Sequence, residues 1–426
     1  MRIQLDEIKF NTALANRLED REKGEQYYRS ILTDVTPEKI VGTEKNKYIR
    51  ENYPLEPRDY FFTEFDNVEI GARVAFGEKE YVIVEGLRIN YCEFKSCHIR
   101  NIRFINCSFA GCKFAKTFIE RAVFESCYFS IPFTEDGHMN QDDIRNAGIV
   151  FSDCNIMADF RKCDLYYSYF ERTRIMLSKF SMCSMKQSYL TSCSISGMTL
   201  KDCQLQGAIT YNADVMEIVL SDECGSVVNE ETYFDPYVHT SKPKPGEIIR
   251  TGANTLVENY AEMLAEKAKS LRAISNLFEQ NDYSNLAGEY YYHSKCVEHN
   301  ALQGKQRILS SLIWGLCGYG ERPMNTLVCI GASIVLWALV YLLAGFEIDH
   351  EVLCLSELIA SNSPITEIIK AFGHSLFFSI TTFSTVGYGN YVPAGAFSLI
   401  ASGVQMLVGV SLTALWTGCI FRKITR

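Results

Sequence analysis

Before Pro323 the chain lacks any long run of apolar residues, and its first residues, MRIQLDEIKFNTALANRLED, have no apolar core. A secretory signal peptide is therefore excluded, and we expect this part of the chain to stay in the cytoplasm. The 16 cysteines include no CxxC pair and no cysteine–histidine cluster with zinc spacing, so no zinc site is expected. The formal net charge of −9 argues against a nucleic-acid partner.

The chain also lacks the sequence signs of familiar regulatory domains. No apolar run carries arginine at every third position, which excludes a voltage sensor. No GxGxxG fingerprint follows a strand-like segment, which argues against a nucleotide-binding regulator. Only five residues follow Phe421, so no C-terminal gating domain is expected.

What the chain has instead is a repeat with a period of five residues. From Cys92 onward a large apolar residue recurs at every fifth position, and a mostly small residue stands two positions before it. The large positions are Phe94, Ile99, Phe104, Phe109, Phe114, Ile119, Phe124 and Phe129 and, after the polar insert PFTEDGHMNQDD and a one-residue slip near Met157–Ala158, Phe160, Leu165, Phe170, Ile175, Phe180, Met185, Leu190, Ile195, Leu200 and Leu205. Helices and strands have other periods, whereas a solenoid with five residues on each side of its coil has this one.

Over residues 87–222 this pattern resembles the pentapeptide-repeat family. The resemblance implies a right-handed quadrilateral β-helix with four repeats per coil, and the slip and the insert imply a bulge or an excursion loop. The small inward position is often cysteine: Cys92, Cys97, Cys107, Cys112, Cys127, Cys154, Cys163, Cys183, Cys193 and Cys203. We interpret these as reduced core filler, with redox sensing as the alternative. Some members of this family mimic DNA, a role that an acidic chain leaves open.

Two apolar runs follow Pro323. Thr326–Phe346 carries no charge and would span ~31 Å as a helix, enough for a bilayer core, and Ala396–Phe421 is also uncharged. Basic residues flank the outer ends of the pair, and the segment between the runs is acidic. The positive-inside rule therefore predicts a multi-pass membrane protein with two spans and both termini in the cytoplasm.

The segment between the runs ends in TTFSTVGYGN, residues 381–390. Lys370 and His374 interrupt the apolar stretch before it, which favours a re-entrant helix over a third span. Thr382–Gly389 matches the potassium-channel signature T-x-x-T-x-G-Y-G, so the chain resembles a two-transmembrane potassium channel. The resemblance implies a homotetramer in which each subunit provides one selectivity-filter loop. It assigns K⁺ coordination to Thr385, Val386, Gly387, Tyr388 and Gly389, through backbone carbonyls and the Thr385 hydroxyl.

The residues around this signature depart from the family's pattern. Asn390 stands where many members have aspartate, and Thr381 stands where some have the carboxylate that braces it. Phe377 and Phe378 occupy positions often held by tryptophan. Together with Thr382 and Ser384, these are the expected pore-supporting residues.

In the second span, Gly409, Thr413, Thr417 and Phe421 are spaced by four and share one helix face. The resemblance places Gly409 at the family's bending glycine, although packing of helix on helix would also explain a small residue there. We expect Thr413 and Thr417 to line a water-filled cavity and Phe421 to lie near a cytoplasmic constriction. Gln405 is costly in lipid and is expected to face protein.

The predicted domain organisation follows: 1–86, an N-terminal cytoplasmic region and β-helix cap; 87–222, the β-helix; 223–252, a linker; 253–322, cytoplasmic helices with an interfacial helix before the pore; and 323–426, the pore domain, with pore helix and filter at 364–389. A second GYG, Gly318–Gly320, lacks the upstream threonines and is expected to form an elbow between helices.

The sequence thus predicts passive, K⁺-selective conduction through a tetramer in a lipid bilayer. Conduction needs no enzyme chemistry, so neither catalytic residues nor a cofactor is expected besides the permeant K⁺ ions. Gating would be coupled to the N-terminal β-helix, with a protein or a small ligand as regulator. Two alternatives stay open: a weakly selective cation channel, should Asn390 and Thr381 loosen the filter, and a membrane-anchored scaffold with a vestigial pore.

Overall fold

The computed structural model describes residues 5–42, 55–72, 81–130, 148–213, 215, 218–220, 227–229, 231–235, 249–251, 255–257, 260–349, 351–361, 363–387 and 389–425. The chain divides into two compact units, Met1–Ala301 and Leu302–Arg426. The first unit is built on parallel strands, and the second consists mainly of helices.

The first unit begins with helix α1 (Glu7–Ile31) and continues as short strands that pair in parallel. The strands are β1 (Lys39–Val41), β2 (Tyr60–Phe61), β3 (Glu64–Asp66), β4 (Glu69–Gly71), β5 (Val82–Glu85), β6 (Ile89–Asn90), β7 (Glu93–Lys95), β8 (His98–Ile105), β9 (Lys113–Ala115), β10 (Phe118–Glu125), β11 (Val150–Ser152), β12 (Asn155–Arg161), β13 (Tyr169–Glu171), β14 (Arg174–Met176), β15 (Lys179–Ser181), β16 (Tyr189–Thr191), β17 (Ser194–Ser196), β18 (Met198–Lys201), β19 (Ile209–Tyr211), β20 (Ile218–Leu220) and β21 (Tyr233–Phe234).

Four ladders run along the stack of coils, one for each side. The first is the sheet β1-β3-β7-β9-β11-β13-β16-β19-β21, and the second and third share a sheet because β8, β10 and β12 each cover two sides. The fourth consists of the β2–β6 pair and of single bridges at Arg88, Ser108, Tyr128, Asp164, Ser184, Gln204 and Val227. Large residues stack on large ones inside the coil: Phe160 lies 4.9 Å from Phe124 and 4.7 Å from Phe180, measured between ring centroids. The first unit is therefore a β-helix, as its sequence period predicts.

The period of five comes from the corners of the coil, each of which holds one residue in the left-handed backbone region. The φ angle is 53° at Tyr91, 52° at Ser96, 48° at Asn101 and 52° at Asn106. A left-handed residue with a Cβ costs roughly 1–2 kcal/mol. Hydrogen bonds to the next coil offset this cost, as where the Ser96 N–H donates to the Ala115 carbonyl at 2.9 Å.

The inward cysteines of the repeat are all buried and free of disulfides. Each thiol lies beside a main-chain carbonyl, as where Cys183 Sγ donates to the Phe160 oxygen at 3.4 Å. Burial raises the pKa of Cys97 to about 11 and the pKa values of Cys154 and Cys193 to about 12. The thiols of Cys97, Cys154 and Cys193 therefore stay protonated at neutral pH, and the complete burial of the whole set favours their role as core filler.

The slip in the repeat is a residue missing from β12. Glu120 pairs with Met157 and Ala122 pairs with Ala158, whereas β10 and β8 stay in register on both sides of Arg121, so β12 passes this corner one residue short at the predicted irregularity. The polar insert, residues 132–143, lies outside the described residues.

The coil stack reaches beyond the boundaries expected from the repeat. On the N-terminal side, Phe65 stacks on Phe94 with ring centroids 4.7 Å apart. On the C-terminal side, β21 pairs with β19, so part of the predicted linker 223–252 is built into the coil. At the N-terminal end the buried residues Leu55, Tyr60, Phe65 and Ile70 are themselves spaced by five, so the sequence carried the signal for this coil and the predicted boundary was too late. At the C-terminal end the spacing of five is lost between Leu220 and Phe234.

Helix α1 lies along one side of the β-helix. Phe10 packs between Tyr189 and Tyr211, with ring centroids 5.1 Å from each. The buried guanidinium of Arg17 lies 3.6 Å from the centre of the Tyr189 ring and donates to the Gln187 carbonyl at 2.7 Å. Burial lowers the pKa of Arg17, while the aromatic and carbonyl contacts offset the cost of burying its charge.

Two antiparallel helices complete the first unit, after a strand pair formed by β22 (Ile249–Thr251) and β23 (Thr255–Val257). Helices α2 (Tyr260–Gln280) and α3 (Ser284–Ala301) share one hydrophobic core with the coils. The Phe234 N–H donates to the Tyr290 hydroxyl at 2.9 Å, and Lys267 pairs with the buried Asp235 at 2.6 Å. These contacts cover the last coil, whose strand edge would otherwise be open to pairing.

The second unit contains α4 (Gly304–Cys317), a 3₁₀ turn (Gly318–Gly320), α5 (Pro323–Ala344), β24 (Phe346–Ile348), β25 (Glu351–Leu353), α6 (Leu355–Ala360), α7 (Ile365–Phe383), β26 (Tyr391–Pro393) and α8 (Ala396–Thr425). Helices α5 and α8 are long and apolar enough to cross a membrane. The first apolar helix ends at Ala344 rather than at Phe346, because Gly345 adopts a φ of 84° and Phe346 enters β24. The second continues past Phe421 to Thr425.

Candidate functional site

The candidate site is the loop that follows helix α7. This helix packs against both α5 and α8, and it ends at Phe383. Beyond it the backbone turns back on the helix end: the Thr385 N–H donates to the Thr382 carbonyl at 3.1 Å, and the Val386 N–H donates to the Thr381 carbonyl at 3.1 Å. The Gly387 N–H reaches the same Thr381 oxygen at 3.5 Å. The loop is thereby attached to the last turn of α7.

These bonds decide where the carbonyl groups point. In a planar trans peptide the C=O is directed opposite to the N–H of the next residue. Because the N–H groups of Val386 and Gly387 face the end of α7, the carbonyl oxygens of Thr385 and Val386 point away from it. Thr385 and Gly387 have φ angles of 57° and 54°, in the left-handed region. Gly389 is also left-handed, with a φ of 81°, and Tyr388 lies outside the described residues.

The supporting threonines and serine are held by the helix itself. Thr381 and Thr382 are buried, and the Thr381 hydroxyl donates to the Phe378 carbonyl at 3.0 Å. The Ser384 hydroxyl donates to the Ile380 carbonyl at 2.8 Å. The Thr381 hydroxyl is therefore bonded to the main chain of its own helix.

The two phenylalanines have different surroundings. Phe378 is buried against Tyr341, with ring centroids 4.6 Å apart, and against Phe346 at 5.7 Å. Phe377 is partly exposed, and its ring lies 5.1 Å from that of Tyr391. Asn390 is exposed. An aromatic cluster thus lies behind the loop, and its member Tyr391 was absent from the residues singled out in the sequence.

A buried polar network ties the three main helices together. The Tyr341 hydroxyl of α5 donates to Gln405 Oε1 of α8 at 2.6 Å, and Gln405 Nε2 donates to the Ser379 carbonyl of α7 at 3.0 Å. The Ser379 hydroxyl in turn donates to the Ile334 carbonyl at 2.7 Å. The prediction that Gln405 faces protein is confirmed, because its side chain is fully buried. Its partners are distant in sequence and had no local signal.

The predicted cavity and gate residues lie along α8. Gly409 is buried, and a Cβ built on it would lie 2.3 Å from the Phe383 carbonyl oxygen. Thr413, Thr417 and Phe421 are exposed on the surface of the single chain. The glycine therefore makes a close backbone contact at the point where α7 ends and the loop begins, and the three other residues remain available to face a pore.

The first GYG is an elbow, as predicted. Gly318, with a φ of 52°, ends α4, and Tyr319 and Gly320 are also left-handed, with φ angles of 57° and 88°. Immediately after it, Glu321 forms an ion pair of 3.1 Å with Arg422 near the end of α8, and its side chain is only 10% exposed. The elbow is thus attached to the C-terminal end of the second apolar helix, a contact that the sequence did not indicate.

Comparison with known proteins concerns the C-terminal part of the chain. Residues 336–426 match the family model described as "Ion channel". This match supports an ion-channel domain there, and the two helices long and apolar enough to cross a membrane agree with a membrane protein of two spans. No curated protein matches the chain.

Solved structures of QnrB1, described as a plasmid-mediated fluoroquinolone resistance protein, are similar to part of the chain. One trypsin-treated variant is 13% identical and covers 41% of this chain and 92% of its own, with a TM-score of 0.18. A second trypsin-treated variant is 16% identical and covers 46% of this chain and 93% of its own, with a TM-score of 0.16. The β-helix of the first unit is established by its own ladders.

Proposed function

We propose that this chain, with its ion-channel domain at residues 336–426, is one subunit of a homotetrameric K⁺-selective channel. The observation that carries the proposal is that the carbonyl oxygens of Thr385 and Val386 point away from the end of α7. They do so because the N–H groups of Val386 and Gly387 bond to the Thr381 carbonyl in the last turn of that helix. Four such loops around a common axis would offer rings of carbonyl oxygens that replace the hydration shell of K⁺. In this arrangement α7 is the re-entrant pore helix, and its negative C-terminal end faces the ion path.

The charge distribution supports one orientation of the two spans. Lys305, Arg307 and Arg322 precede the first span, and Arg422 and Lys423 lie in the last turn of α8, a distribution that supports cytoplasmic termini. Helix α4 exposes Ile308, Leu309, Leu312, Ile313 and Trp314, which suits a helix lying on the cytoplasmic membrane surface. The inward cysteines of the β-helix are buried and form no disulfides, which supports a reducing compartment.

Flux of K⁺ from liposomes tests conduction. Gly387 is left-handed, so alanine there adds backbone strain to the loop, and we expect Gly387→Ala to lower K⁺ efflux at least about tenfold. Gly373→Ala is the matched control, because nothing among the described residues lies within 4 Å of its Cβ. An equal loss of K⁺ efflux in Gly387→Ala and Gly373→Ala would contradict a specific role for the loop in conduction. A reversal potential that is insensitive to the K⁺/Na⁺ gradient would instead favour the weakly selective channel, and absence of flux in the wild type would favour the scaffold.

We further propose that gating signals from the β-helix enter the pore through α4 and the elbow. The partly buried Glu321–Arg422 pair holds the end of α8, so reversing one charge leaves a repulsive pair there. We expect Glu321→Arg and Arg422→Glu each to change the open probability in planar bilayers by about five- to tenfold. The double variant restores the pair with its partners exchanged and should recover wild-type gating.

The neighbouring exposed charge provides the control for this experiment. Lys423→Glu makes the same change in net charge one residue further along α8 and should leave the open probability near the wild-type value. If Lys423→Glu shifts gating as strongly as Arg422→Glu, or if the double variant adds the two single effects, surface charge rather than the ion pair controls the gate.

A further inference from the structure

The chain leaves the proposed filter directly into a small antiparallel sheet. Strand β26 begins at Tyr391, two residues after Gly389, and pairs with β24, which also pairs with β25. Ile348 stands opposite Tyr391, and Phe346 stands opposite Pro393. Because β24 follows α5 after a single residue, the far end of the loop is hydrogen-bonded to the segment that leaves the first span.

The Tyr391 side chain connects this sheet to helix α7. Its hydroxyl oxygen lies 2.9 Å from Nδ1 of His374, one turn before Phe377. Its ring lies 5.1 Å from the Phe377 ring and 6.4 Å from the rings of Phe346 and Phe378. When His374 is neutral and carries its proton on Nε2, the Tyr391 hydroxyl donates to Nδ1. One tyrosine thus contacts both the sheet and the pore helix.

The two ends of the loop are consequently held in different ways. At its start, three N–H groups bond to the carbonyls of Thr381 and Thr382 in the last turn of α7. At its far end, Asn390 is exposed, and the Thr381 hydroxyl donates to the Phe378 carbonyl of its own helix rather than to the loop. The nearest side chain that reaches back to α7 from beyond Gly389 is Tyr391.

We propose that Tyr391 is a positioning residue for the filter, acting through its hydrogen bond to His374 and its place in β26. Selection between K⁺ and Na⁺ depends on rings of carbonyl oxygens, and the positions of these rings follow the positions of both ends of the loop. The His374–Tyr391 bond sets the distance between the outer end of the loop and α7. This inference rests on the proposed K⁺ conduction, but it concerns residues outside the channel signature.

The test compares K⁺/Na⁺ permeability ratios and the decay of current in low external K⁺, using the full chain in planar bilayers. Tyr391→Phe keeps the ring and removes the hydroxyl, and His374→Leu removes the acceptor. We expect each to lower the permeability ratio by about three- to tenfold and to speed the decay. The double variant should be no worse than either single one, because both break the same bond. His374→Asn, which retains a hydrogen-bonding group near the position of Nδ1, should recover most of the selectivity.

Tyr27→Phe, the same chemical change at an exposed position of the first unit, is the control and should behave as wild type. Wild-type selectivity in Tyr391→Phe, or additive effects in the double variant, would overturn the inference while leaving the proposed conduction intact. Loss of selectivity in the wild type itself would instead overturn the proposed function. If Tyr391→Phe fails to assemble, His374→Leu is compared with His374→Asn. Equal K⁺/Na⁺ permeability ratios in these two variants would show that the His374–Tyr391 hydrogen bond does not position the filter.

Discussion

Replacing Gly409 with alanine should reduce K⁺ flux at least about tenfold, because the new methyl group collides with backbone. A Cβ at Gly409 would lie 2.3 Å from the Phe383 carbonyl oxygen and 3.1 Å from its carbon, and neither atom belongs to a side chain that could move aside. Helix α8 would have to separate from the end of α7, which carries the start of the loop at Ser384 and Thr385. Flux from liposomes of the purified variant measures the effect.

Gly403→Ala is the matched control on the same helix. Among the described residues nothing lies within 4 Å of a Cβ at Gly403, so the same substitution adds helix propensity without a collision. If Gly409→Ala conducts like Gly403→Ala, the close contact with Phe383 does not control the pore. The sequence left two explanations for Gly409 open, a bend in α8 and close packing of two helices. The close contact with Phe383 is sufficient to require glycine at this position, whether or not α8 bends there.

Replacing Phe160 with alanine should lower the free energy of unfolding of the β-helix by about 3–5 kcal/mol. The Phe160 ring is fully buried and stacks between Phe124 and Phe180, so its loss leaves a cavity in the middle of one ladder. The buried cysteines provide the measurement, since their thiols react only when the coils open. We expect the urea midpoint for thiol labelling of the full-length protein in detergent to fall accordingly.

Phe118→Ala is the control for this substitution, because the Phe118 ring is 52% exposed on the outside of the same stack. Its labelling midpoint should stay close to that of the wild type. The pair also tests the coupling proposal. At temperatures where only the Phe160→Ala β-helix is open, K⁺ flux should differ from that of Phe118→Ala, and identical flux would show that the β-helix does not reach the gate.

Periodic and local signals explain which features could be predicted. The β-helix was predictable because each coil repeats the same requirement: a large and a small inward residue and one left-handed corner on every side. The spans were predictable because a bilayer demands a long uncharged helix. The elbow at Gly318–Gly320 was predictable because left-handed glycines end a helix locally. The last coil was not, since the spacing of five is lost between Leu220 and Phe234, whereas the first coil carries that spacing at Leu55, Tyr60, Phe65 and Ile70 and could have been included.

The loop after α7 shows the limit of such signals most clearly. The order of Thr385, Val386, Gly387, Tyr388 and Gly389 is read directly from the chain, and the matching ion-channel family covers them. How the loop is held depends on Tyr391, His374 and Gly409, whose contacts arise only when α7, α8 and β26 are packed together. The sequence singles out Gly409 as a small residue that helix packing would explain, but no local rule marks the contact between Tyr391 and His374.

The sequence by itself therefore determined the two kinds of architecture, a β-helix and a pair of long apolar helices, because periodicity and apolar length act on neighbouring residues, and the motif at Thr382–Gly389 pointed to an ion channel. Only the tertiary structure decided that Gln405 joins three helices, that Glu321 pairs with Arg422, and that Tyr391 joins the end of the loop to α7. Hydrogen bonds and ion pairs between distant segments depend on distances of a few ångströms. Those distances are set by packing of the whole unit, which no local pattern of residues contains.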